Sequence, residues 1–428
     1  MSDNYKFETL CLHAGQQPDT DTTARGVPVH RTSSYVFKST EHAANLFALK
    51  ELGNIYTRIM NPTQDVLEQR VTALEGGAAA LALASGTSAV YYAIINICSA
   101  GDEIVSANNL YGGTYTMFDA ILPQFGIQTK FADPRDPLNI ETAISEKTRA
   151  IFIEAIGNPL LEVTDIAAVS EIARKRHLPL IVDATFTTPH LLKSIEYGAD
   201  IVVNSLTKWM GGHGTGIGGI VIDAGKFDWT DPKFRLYNEP DASYHGIRYA
   251  QDLGDLNPVA FIMRMRLVPL RNLGACISPD NAWMFLQGLE TLPLRMQRHC
   301  DNAMSVAQFL KTHSKVNWVR YPGLEDDPTF PVAEKYLENG FGGMVVFGIE
   351  GGLEAGSKFV DSLKLFSHLA NVGDAKSLVI HPASTTHSQL SAAQQKSGGL
   401  TPDLVRLSVG LEHIDDIIGD LEQAFAKL

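Results

Sequence analysis

The most informative segment of this chain is Asp200-Ile201-Val202-Val203-Asn204-Ser205-Leu206-Thr207-Lys208. An apolar run that passes into small and polar residues predicts a buried parallel strand, with Lys208 just beyond its carboxyl end. A second apolar run, Leu180-Ile181-Val182, ends in Asp183. Ligands bind at the carboxyl ends of the strands in open α/β sheets, so Asp183 and Lys208 are candidates for one site.

Lys208 and Asp183 are the residue types that pyridoxal phosphate requires. A lysine amine forms a Schiff base with the aldehyde of this cofactor, and a carboxylate keeps the pyridine nitrogen protonated so that the ring withdraws electrons. Ser205 and Thr207 add two hydroxyls close to the lysine that can hold phosphate. The alternatives are a solvated surface lysine and an aspartate that caps the following helix.

Composition and charge narrow the class of protein. The chain has 428 residues, is 45% hydrophobic and carries a formal net charge of −13, which fits a soluble globular protein with two domains. The acidic balance argues against nucleic-acid and anionic-membrane partners, because both need a basic surface. Four widely spaced cysteines predict reduced thiols and neither a disulfide framework nor a metal site. The absence of a signal region and of a long apolar run indicates the cytoplasm.

Three regions are predicted along the chain. Residues 1–61 lack sustained periodicity, as expected of an arm that lies on a neighbouring subunit. In residues 62–270, strand-like and helix-like segments alternate, which predicts a mainly parallel sheet with helices on both faces. Residues 227–270 interrupt that alternation with four prolines and are either a functional insertion or surface decoration. Residues 271–428 predict a smaller C-terminal α/β domain, opened by one long helix from about Ser278 to Leu310.

A turn rich in glycine and hydroxyl groups predicts a phosphate site. Ala84-Ser85-Gly86-Thr87-Ser88 follows a strand and opens a helix, whose first amides attract an anion. An ordinary serine N-cap is the alternative, but Ser205 and Thr207 supply a companion site. The G-x-G-x-x-G pattern of a dinucleotide-binding fingerprint is matched by Gly214-Thr215-Gly216-Ile217-Gly218-Gly219. Because these glycines precede a strand and do not open a helix, a turn is predicted there instead.

Four further side chains are candidates on their local context. Tyr111 lies in a polar loop after a strand, where its ring either stacks on a cofactor or packs structurally. Tyr56 and Arg58 belong to the arm, and a forked cation beside a phenol suits a phosphate. Arg406 interrupts an apolar strand, so it either points to solvent or holds a carboxylate.

The order of these motifs resembles the Cys/Met-metabolism family of pyridoxal phosphate enzymes, over nearly the whole chain. The matching motifs are Tyr56-Thr57-Arg58-Ile59-Met60-Asn61-Pro62-Thr63, Ser85-Gly86-Thr87, Leu110-Tyr111-Gly112-Gly113-Thr114, Glu154-Ala155-Ile156-Gly157-Asn158-Pro159, Val182-Asp183-Ala184-Thr185 and Ser205-Leu206-Thr207-Lys208. The resemblance implies the α/β fold of PLP-dependent transferases of fold type I, which is aspartate aminotransferase-like.

The resemblance also implies a role for each residue. Lys208 would carry the cofactor, Asp183 would pair with its pyridine nitrogen and Tyr111 would stack on its ring, so these three are the implied catalytic residues. The implied cofactor-binding residues are Tyr56, Arg58, Ser85, Gly86, Thr87, Tyr111, Asp183, Thr185, Ser205, Thr207 and Lys208. Tyr56 and Arg58 would reach the site from the neighbouring subunit of a homotetramer built from two dimers. Asn158 and Arg406 match positions that bind the substrate's α-carboxylate, with Ser377 nearby.

Within the family, the insertion around Tyr244-His245-Gly246-Ile247-Arg248 and the segment 371–387 resemble the O-acetylhomoserine sulfhydrylase branch. That branch implies γ-replacement of acetate in O-acetyl-L-homoserine by sulfide, or by sulfur on a protein carrier, to give L-homocysteine in methionine biosynthesis. The alternatives are a methionine γ-lyase, which usually has cysteine where Gly113 stands, a cystathionine γ-synthase, and a cofactor-binding protein without turnover. The sequence leaves open the sulfur donor and whether the leaving group is acetyl, succinyl or phospho.

Overall fold

The computed structural model describes residues 5–385 and 400–428, and their strands form two sheets. The larger sheet has the strand order β1-β7-β6-β5-β4-β2-β3. Its strands are β1 (Ala79–Leu83), β2 (Glu103–Ala107), β3 (Gln128–Ala132), β4 (Thr148–Glu154), β5 (Leu180–Asp183), β6 (Ile201–Ser205) and β7 (Gly219–Asp223). Strands β2 to β6 run parallel to one another, whereas β7 is antiparallel to both β1 and β6. The predicted, mainly parallel sheet is therefore confirmed.

The register of the parallel strands brings polar strand ends to one edge of the sheet. Glu154 at the end of β4 pairs with Asp183 at the end of β5, and Asp183 pairs with Val203 two residues before the end of β6. Nearly every residue of these three strands is buried, as expected of strands covered on both faces. The last side chains of these strands meet at the carboxyl edge of the sheet. In open α/β sheets this edge is where ligands bind.

Helices precede and connect the strands. They are α1 (Phe7–His13), α2 (Thr40–Phe47), α3 (Pro62–Glu75), α4 (Gly86–Ile95), α5 (Gly112–Thr116), α6 (Pro137–Ala143), α7 (Ile166–Lys175), α8 (Thr188–Leu191), α9 (Arg235–Asn238), α10 (Ala260–Met265), α11 (Arg271–Leu273), α12 (Pro279–Glu290), α13 (Leu292–Thr312), α14 (Phe330–Tyr336), α15 (Gly352–Ser362) and α16 (Ile414–Phe425). Short 3₁₀ or π-helical turns occupy Met117–Ile121, Leu122–Phe125, Ser194–Tyr197, Gly254–Val259, Arg266–Leu270 and Pro382–Ser384. In the described residues, no helix is long and apolar enough to cross a membrane.

The second sheet is smaller and lies toward the C-terminus of the chain. Its order is β10-β11-β12-β9-β8, formed by β8 (Val316–Arg320), β9 (Met344–Ile349), β10 (Ser367–His368), β11 (Leu378–Ile380) and β12 (Leu404–Ser408). Helices α13, α15 and α16 pack around it and share one apolar core with β9 and β12. Strand β12 carries Arg406 toward the larger sheet, where the guanidinium contacts Asn158.

The prediction of one long helix from Ser278 to Leu310 is wrong in its continuity, because the helix breaks at Thr291. This residue has φ −110° and ψ 7°, and Pro293 follows in the first turn of α13. Proline has no N–H to continue the helix and favours a helix start. Helix α12 stays with the larger sheet, since Gln64 donates to the Ile277 carbonyl oxygen and Leu83 forms a β-bridge with Cys276. The predicted domain bounds, 62–270 and 271–428, stay a prediction.

The N-terminal arm is exposed but attached to the insertion. Val36 and Leu52 are 97% and 68% exposed, which is unusual for apolar residues of a folded segment. The Tyr244 hydroxyl, within the 227–270 insertion, donates to the Phe47 carbonyl oxygen at the end of α2 over 2.9 Å. The Arg271 guanidinium lies over the same tyrosine ring, 5.3 Å from its centroid. The insertion therefore supports the arm and is more than surface decoration.

Candidate active site

A cavity of about 280 Å³ lies at the carboxyl ends of β4, β5 and β6. Its lining includes most of the residues that the sequence nominated, namely Ser85, Gly86, Thr87, Tyr111, Asn158, Asp183, Thr185, Ser205, Thr207, Lys208 and Arg406. Residues far apart in the chain meet here because most of them end a strand, follow a strand or begin a helix, whereas Arg406 lies in the middle of β12. The cavity therefore lies at the sheet edge that the strand ends predicted.

Lys208 projects into this cavity and is largely buried. Its Nζ donates to Oδ1 of Asn371, a contact across 163 positions of sequence. Burial, and next the nearby Arg406 guanidinium, lower the pKa of Lys208 from 10.5 to about 8. A lowered pKa raises the fraction of neutral amine near neutral pH, and only the neutral amine is a nucleophile or a base. The solvated-lysine alternative is wrong.

Asp183 is a buried carboxyl in need of a cation. Its Oδ1 accepts from the Thr185 backbone N–H over 2.9 Å, and burial raises its pKa. Among the described residues, no lysine, arginine or histidine nitrogen lies within 4.0 Å of this carboxyl. A pyridinium nitrogen would supply the missing positive charge, so the chemistry of the site fits the ring.

The structure also offers a place for a phosphate. Ser85 is the N-cap of α4, where its Oγ accepts from the Ser88 N–H, and the first amides of that helix begin at Gly86. A Cβ on Gly86 would lie 2.6 Å from Cβ of Ser205, so only glycine allows the two segments to approach this closely. The Thr207 hydroxyl lies at the same end of the cavity and accepts from the Gly218 N–H at 3.1 Å. Amides and hydroxyls converging without an acidic side chain fit a phosphate group.

The glycine-rich stretch after Lys208 behaves as predicted. Residues 211–218 form turns and irregular structure, and β7 begins at Gly219. No helix follows these glycines, so the arrangement that a dinucleotide fingerprint needs is missing from this stretch. Its function in the fold is to lead the chain back into the sheet beside β6.

Tyr111 lies over the mouth of the cavity, and its ring is not packed into the core. The residue is 54% exposed, and its backbone N–H donates to Oε1 of Glu154 over 2.7 Å. A Cβ on Gly113 would lie 2.6 Å from Cε1 of the same ring, so the absent side chain at 113 makes room for the tyrosine. These contacts favour a stacking role over structural packing.

Arg406 points into the cavity, so the solvent-facing alternative is wrong. Its Nη1 donates to Oδ1 of Asn158 over 3.1 Å. Burial lowers the pKa of Arg406 to about 10, while the Tyr111 hydroxyl acts in the opposite direction. Among the described residues, the hydrogen-bond partner of this guanidinium is the neutral amide of Asn158, so the positive charge is suited to receive a carboxylate.

Three predicted site residues lie outside the lining of this cavity. Ser377 is buried elsewhere: its hydroxyl donates to Glu412 and accepts from the Gly410 N–H, both over 2.9 Å. Ser377 therefore does not line this cavity, and its place near the substrate stays a prediction. Tyr56 is 41% exposed on the arm, and the Arg58 guanidinium lies 5.2 Å from the centroid of its ring. Of the predicted segment 371–387, Thr386 and His387 lie outside the described residues.

Three polar residues of the cavity were not predicted as site residues, namely Glu154, Asn371 and Thr114, the last of which lies in α5. Glu154 ends strand β4 as Asp183 ends β5, so the argument applied to Asp183 could have found it. Asn371 lies in an irregular segment before β11, where no strand end or helix start in the sequence indicates a site residue. Among the described residues, no group of three or more His, Cys, Asp or Glu side chains is placed to hold a metal ion.

A lysine and a carboxyl group at adjoining strand ends, with a phosphate cradle, define a pyridoxal-phosphate-dependent enzyme of the α/β class. A family model described as Cys/Met metabolism PLP-dependent enzyme matches residues 8–426. The chain belongs to this family. The predictions of the family, the fold type, an enzyme and the cofactor are confirmed.

Similar proteins are found across bacteria and fungi. The chain is 56% identical to "O-acetyl-L-homoserine sulfhydrylase" of Leptospira meyeri, with 100% of this chain and 98% of that protein covered. It is 51% identical to "Homocysteine synthase" of Schizosaccharomyces pombe, with 98% and 97% covered. A crystal structure of a putative O-acetylhomoserine (thiol)-lyase from Campylobacter jejuni has a TM-score of 0.95 at 41% identity, covering 99% and 100%. That structure is described with N'-pyridoxyl-lysine-5'-monophosphate at its position 205.

Proposed function

We propose that this chain catalyses γ-replacement on O-acetyl-L-homoserine, in which sulfide displaces acetate to give L-homocysteine for methionine biosynthesis. The observation that carries the proposal is the meeting of a low-pKa lysine, a buried carboxyl and a buried guanidinium in one cavity. The names of the full-length relatives, an O-acetyl-L-homoserine sulfhydrylase and a homocysteine synthase, support the choice of substrate and product.

Each residue of the cavity has a distinct task in this reaction. When bound, pyridoxal phosphate supplies an electron sink that stabilises negative charge next to the substrate's amino group. Lys208, whose pKa is about 8, takes the α-proton as a neutral amine and returns a proton later. Arg406 binds the α-carboxylate, and Asn158 orients the guanidinium through its side-chain oxygen. Asp183 would pair with the ring nitrogen and keep it protonated when the cofactor is bound.

The charges of the cavity favour an acetyl leaving group. Among the described lining residues, Lys208 and Arg406 are the cationic side chains, and both already have tasks. A succinyl or phospho group would bring a second anion into the cavity without a partner there, and an unpaired buried charge is costly. The neutral acetyl ester needs no such partner. Apolar walls from Val90, Ile156, Phe186 and Ile217 suit its methyl group.

An assay of the purified protein with pyridoxal phosphate tests this proposal. O-acetyl-L-homoserine with sulfide should yield homocysteine and acetate in equal amounts, and the succinyl and phospho esters should react more slowly. Release of 2-oxobutyrate and ammonia whether or not sulfide is present would replace the proposal with a γ-lyase. Cystathionine as the main product from cysteine would indicate a cystathionine γ-synthase. Turnover by a Lys208→Ala variant would contradict any role of that amine.

We also propose that the active form is a homotetramer of two dimers, in which the arm of one subunit completes the phosphate site of its neighbour. Tyr56 and Arg58 lie on the exposed arm and outside the cavity of their own chain. Mixing Lys208→Ala with Arg58→Ala subunits should restore activity, because half of the sites in each mixed dimer are intact. Random pairing predicts about a quarter of the wild-type rate. A protein sulfur carrier and the cytoplasmic address stay predictions.

A further inference from the structure

Glu154 is a buried carboxyl that none of the tasks above uses. It is the last residue of β4, is 5% exposed and lines the cavity. Its register partner on the adjacent parallel strand is Asp183, so both side chains leave the same face of the sheet. Two carboxyl groups therefore face one cavity side by side.

Glu154 contacts Tyr111, the tyrosine that lies over the mouth of the cavity. Its Oε1 accepts from the backbone N–H of Tyr111 over 2.7 Å. Tyr111 is the residue before α5, and its ring is more than half exposed, so the ring depends on its backbone for position. Asn109, in the same loop, is held by a backbone hydrogen bond, since its carbonyl oxygen accepts from the Asn158 N–H over 3.1 Å. Glu154 is therefore the side chain that fixes the tyrosine end of this loop.

The protonation state of Glu154 depends on the neighbouring carboxyl group of Asp183. Two adjacent carboxyl groups cannot both ionise cheaply in a cavity shielded from water. Asp183 accepts from Thr185 and would face the cationic ring nitrogen, whereas Glu154 is not within 4.0 Å of any cationic group in the described residues. Burial, and next the charge of Asp183, raise the pKa of Glu154 well above its usual range. A neutral carboxylic acid still accepts from an N–H through its carbonyl oxygen.

We propose that Glu154 is a positioning residue, a neutral acid that fixes the Tyr111 backbone and leaves Asp183 as the ionised carboxyl opposite the cofactor ring. This inference rests on the proposed assignment of Asp183 and Tyr111 to the ring. It adds a residue that acts through the Tyr111 backbone N–H and sets the orientation of that tyrosine. Its effect should appear in the optical properties of the bound cofactor as well as in the rate.

Three substitutions separate the parts of this inference in the holoenzyme. Glu154→Gln keeps a carbonyl acceptor without a charge, so kcat should stay within about threefold and the visible circular dichroism of the cofactor should not change. Glu154→Ala removes the acceptor and should lower kcat about tenfold or more, alter the dichroism and leave KM nearly unchanged. Glu154→Asp is one methylene too short to reach Tyr111 and should behave as Ala does, which covers the case that the Ala variant fails to fold.

The outcomes are distinct. If Glu154→Gln is as impaired as Glu154→Ala, a charge is needed at this position and the inference is wrong. It is also wrong if Glu154→Ala and Glu154→Asp both keep the wild-type dichroism and kcat. Lys208→Ala serves as the reference for the proposed function. If its visible cofactor band persists, the function itself fails, whereas loss of that band together with wild-type dichroism and kcat in Glu154→Ala and Glu154→Asp overturns this inference alone.

Discussion

The lowered pKa of Lys208 makes a quantitative prediction about how the protein takes up its cofactor. With a pKa of about 8 in place of 10.5, the neutral amine fraction at pH 7 rises from about 0.03% to about 9%. Since only the neutral amine attacks an aldehyde, the rate of cofactor capture should follow this fraction. It should rise about ninefold from pH 6 to 7 and only about twofold from pH 8 to 9.

Stopped-flow mixing of the cofactor-free protein with pyridoxal phosphate measures this rate through the visible absorbance of the product. Arg406→Met is the informative variant, because the guanidinium is the second cause of the lowered pKa. Its midpoint should move to higher pH while the limiting rate stays similar. Lys208→Ala should give no visible band and serves as the blank. A rate that increases about tenfold from pH 8 to pH 9 would show that Lys208 titrates as an ordinary lysine, and the reasoning from burial would be refuted.

Three further predictions concern the substrate anchor, the tyrosine and a buried acid. Arg406→Met should cost about 2–4 kcal/mol in kcat/KM for O-acetyl-L-homoserine by steady-state kinetics. It should affect 3-aminopropyl acetate, which lacks the carboxylate, far less, since only the change at Lys208 acts there; equal losses would exclude this role. Gly113→Ala places a Cβ 2.6 Å from the Tyr111 ring and should lower kcat and change the cofactor's dichroism, whereas Gly419→Ala, with nothing within 4 Å, should change neither. Glu75 is buried with a folded-state pKa of about 8 against 4.5, so the folded state holds a proton that the unfolded state has lost, and stability falls as pH rises between these values. In thermal unfolding scans, Glu75→Gln should flatten this fall in Tm between about pH 5 and 9, and an unchanged slope would contradict the assignment.

The parts of the fold that were predictable are those dictated by local chemistry. Asn61 and Pro62 mark a helix start because an asparagine side chain accepts from a first-turn N–H and proline needs no donor, and Oδ1 of Asn61 does accept from the Thr63 N–H. The apolar runs that end in Asp183 and in Asn204-Ser205 placed the site at the sheet edge by the same local logic. Strand β8, with the pattern Val-Asn-Trp-Val-Arg, is only partly buried and gives no such run.

The parts that were not predictable depend on partners distant in sequence. Ser377 carries a hydroxyl in a suggestive place, but Glu412, 35 positions away, engages both its N–H and its hydroxyl. Asn371 contacts Lys208 only because the smaller sheet packs against the larger one. Glu154 could be read as a strand end, but its link to Tyr111 needs the folded loop. Local rules thus located the cavity, and tertiary contacts decided which side chains share it.

The hydrogen bond from Tyr244 to Phe47 couples two stretches almost two hundred positions apart. A chimaera with its first sixty residues from a relative would therefore pair an arm from one protein with an insertion from another. The contact between arm and insertion would then be poorly matched. Recombination between family members should succeed more often when both stretches come from the same parent. The two stretches should therefore be exchanged together, although they lie far apart in the sequence.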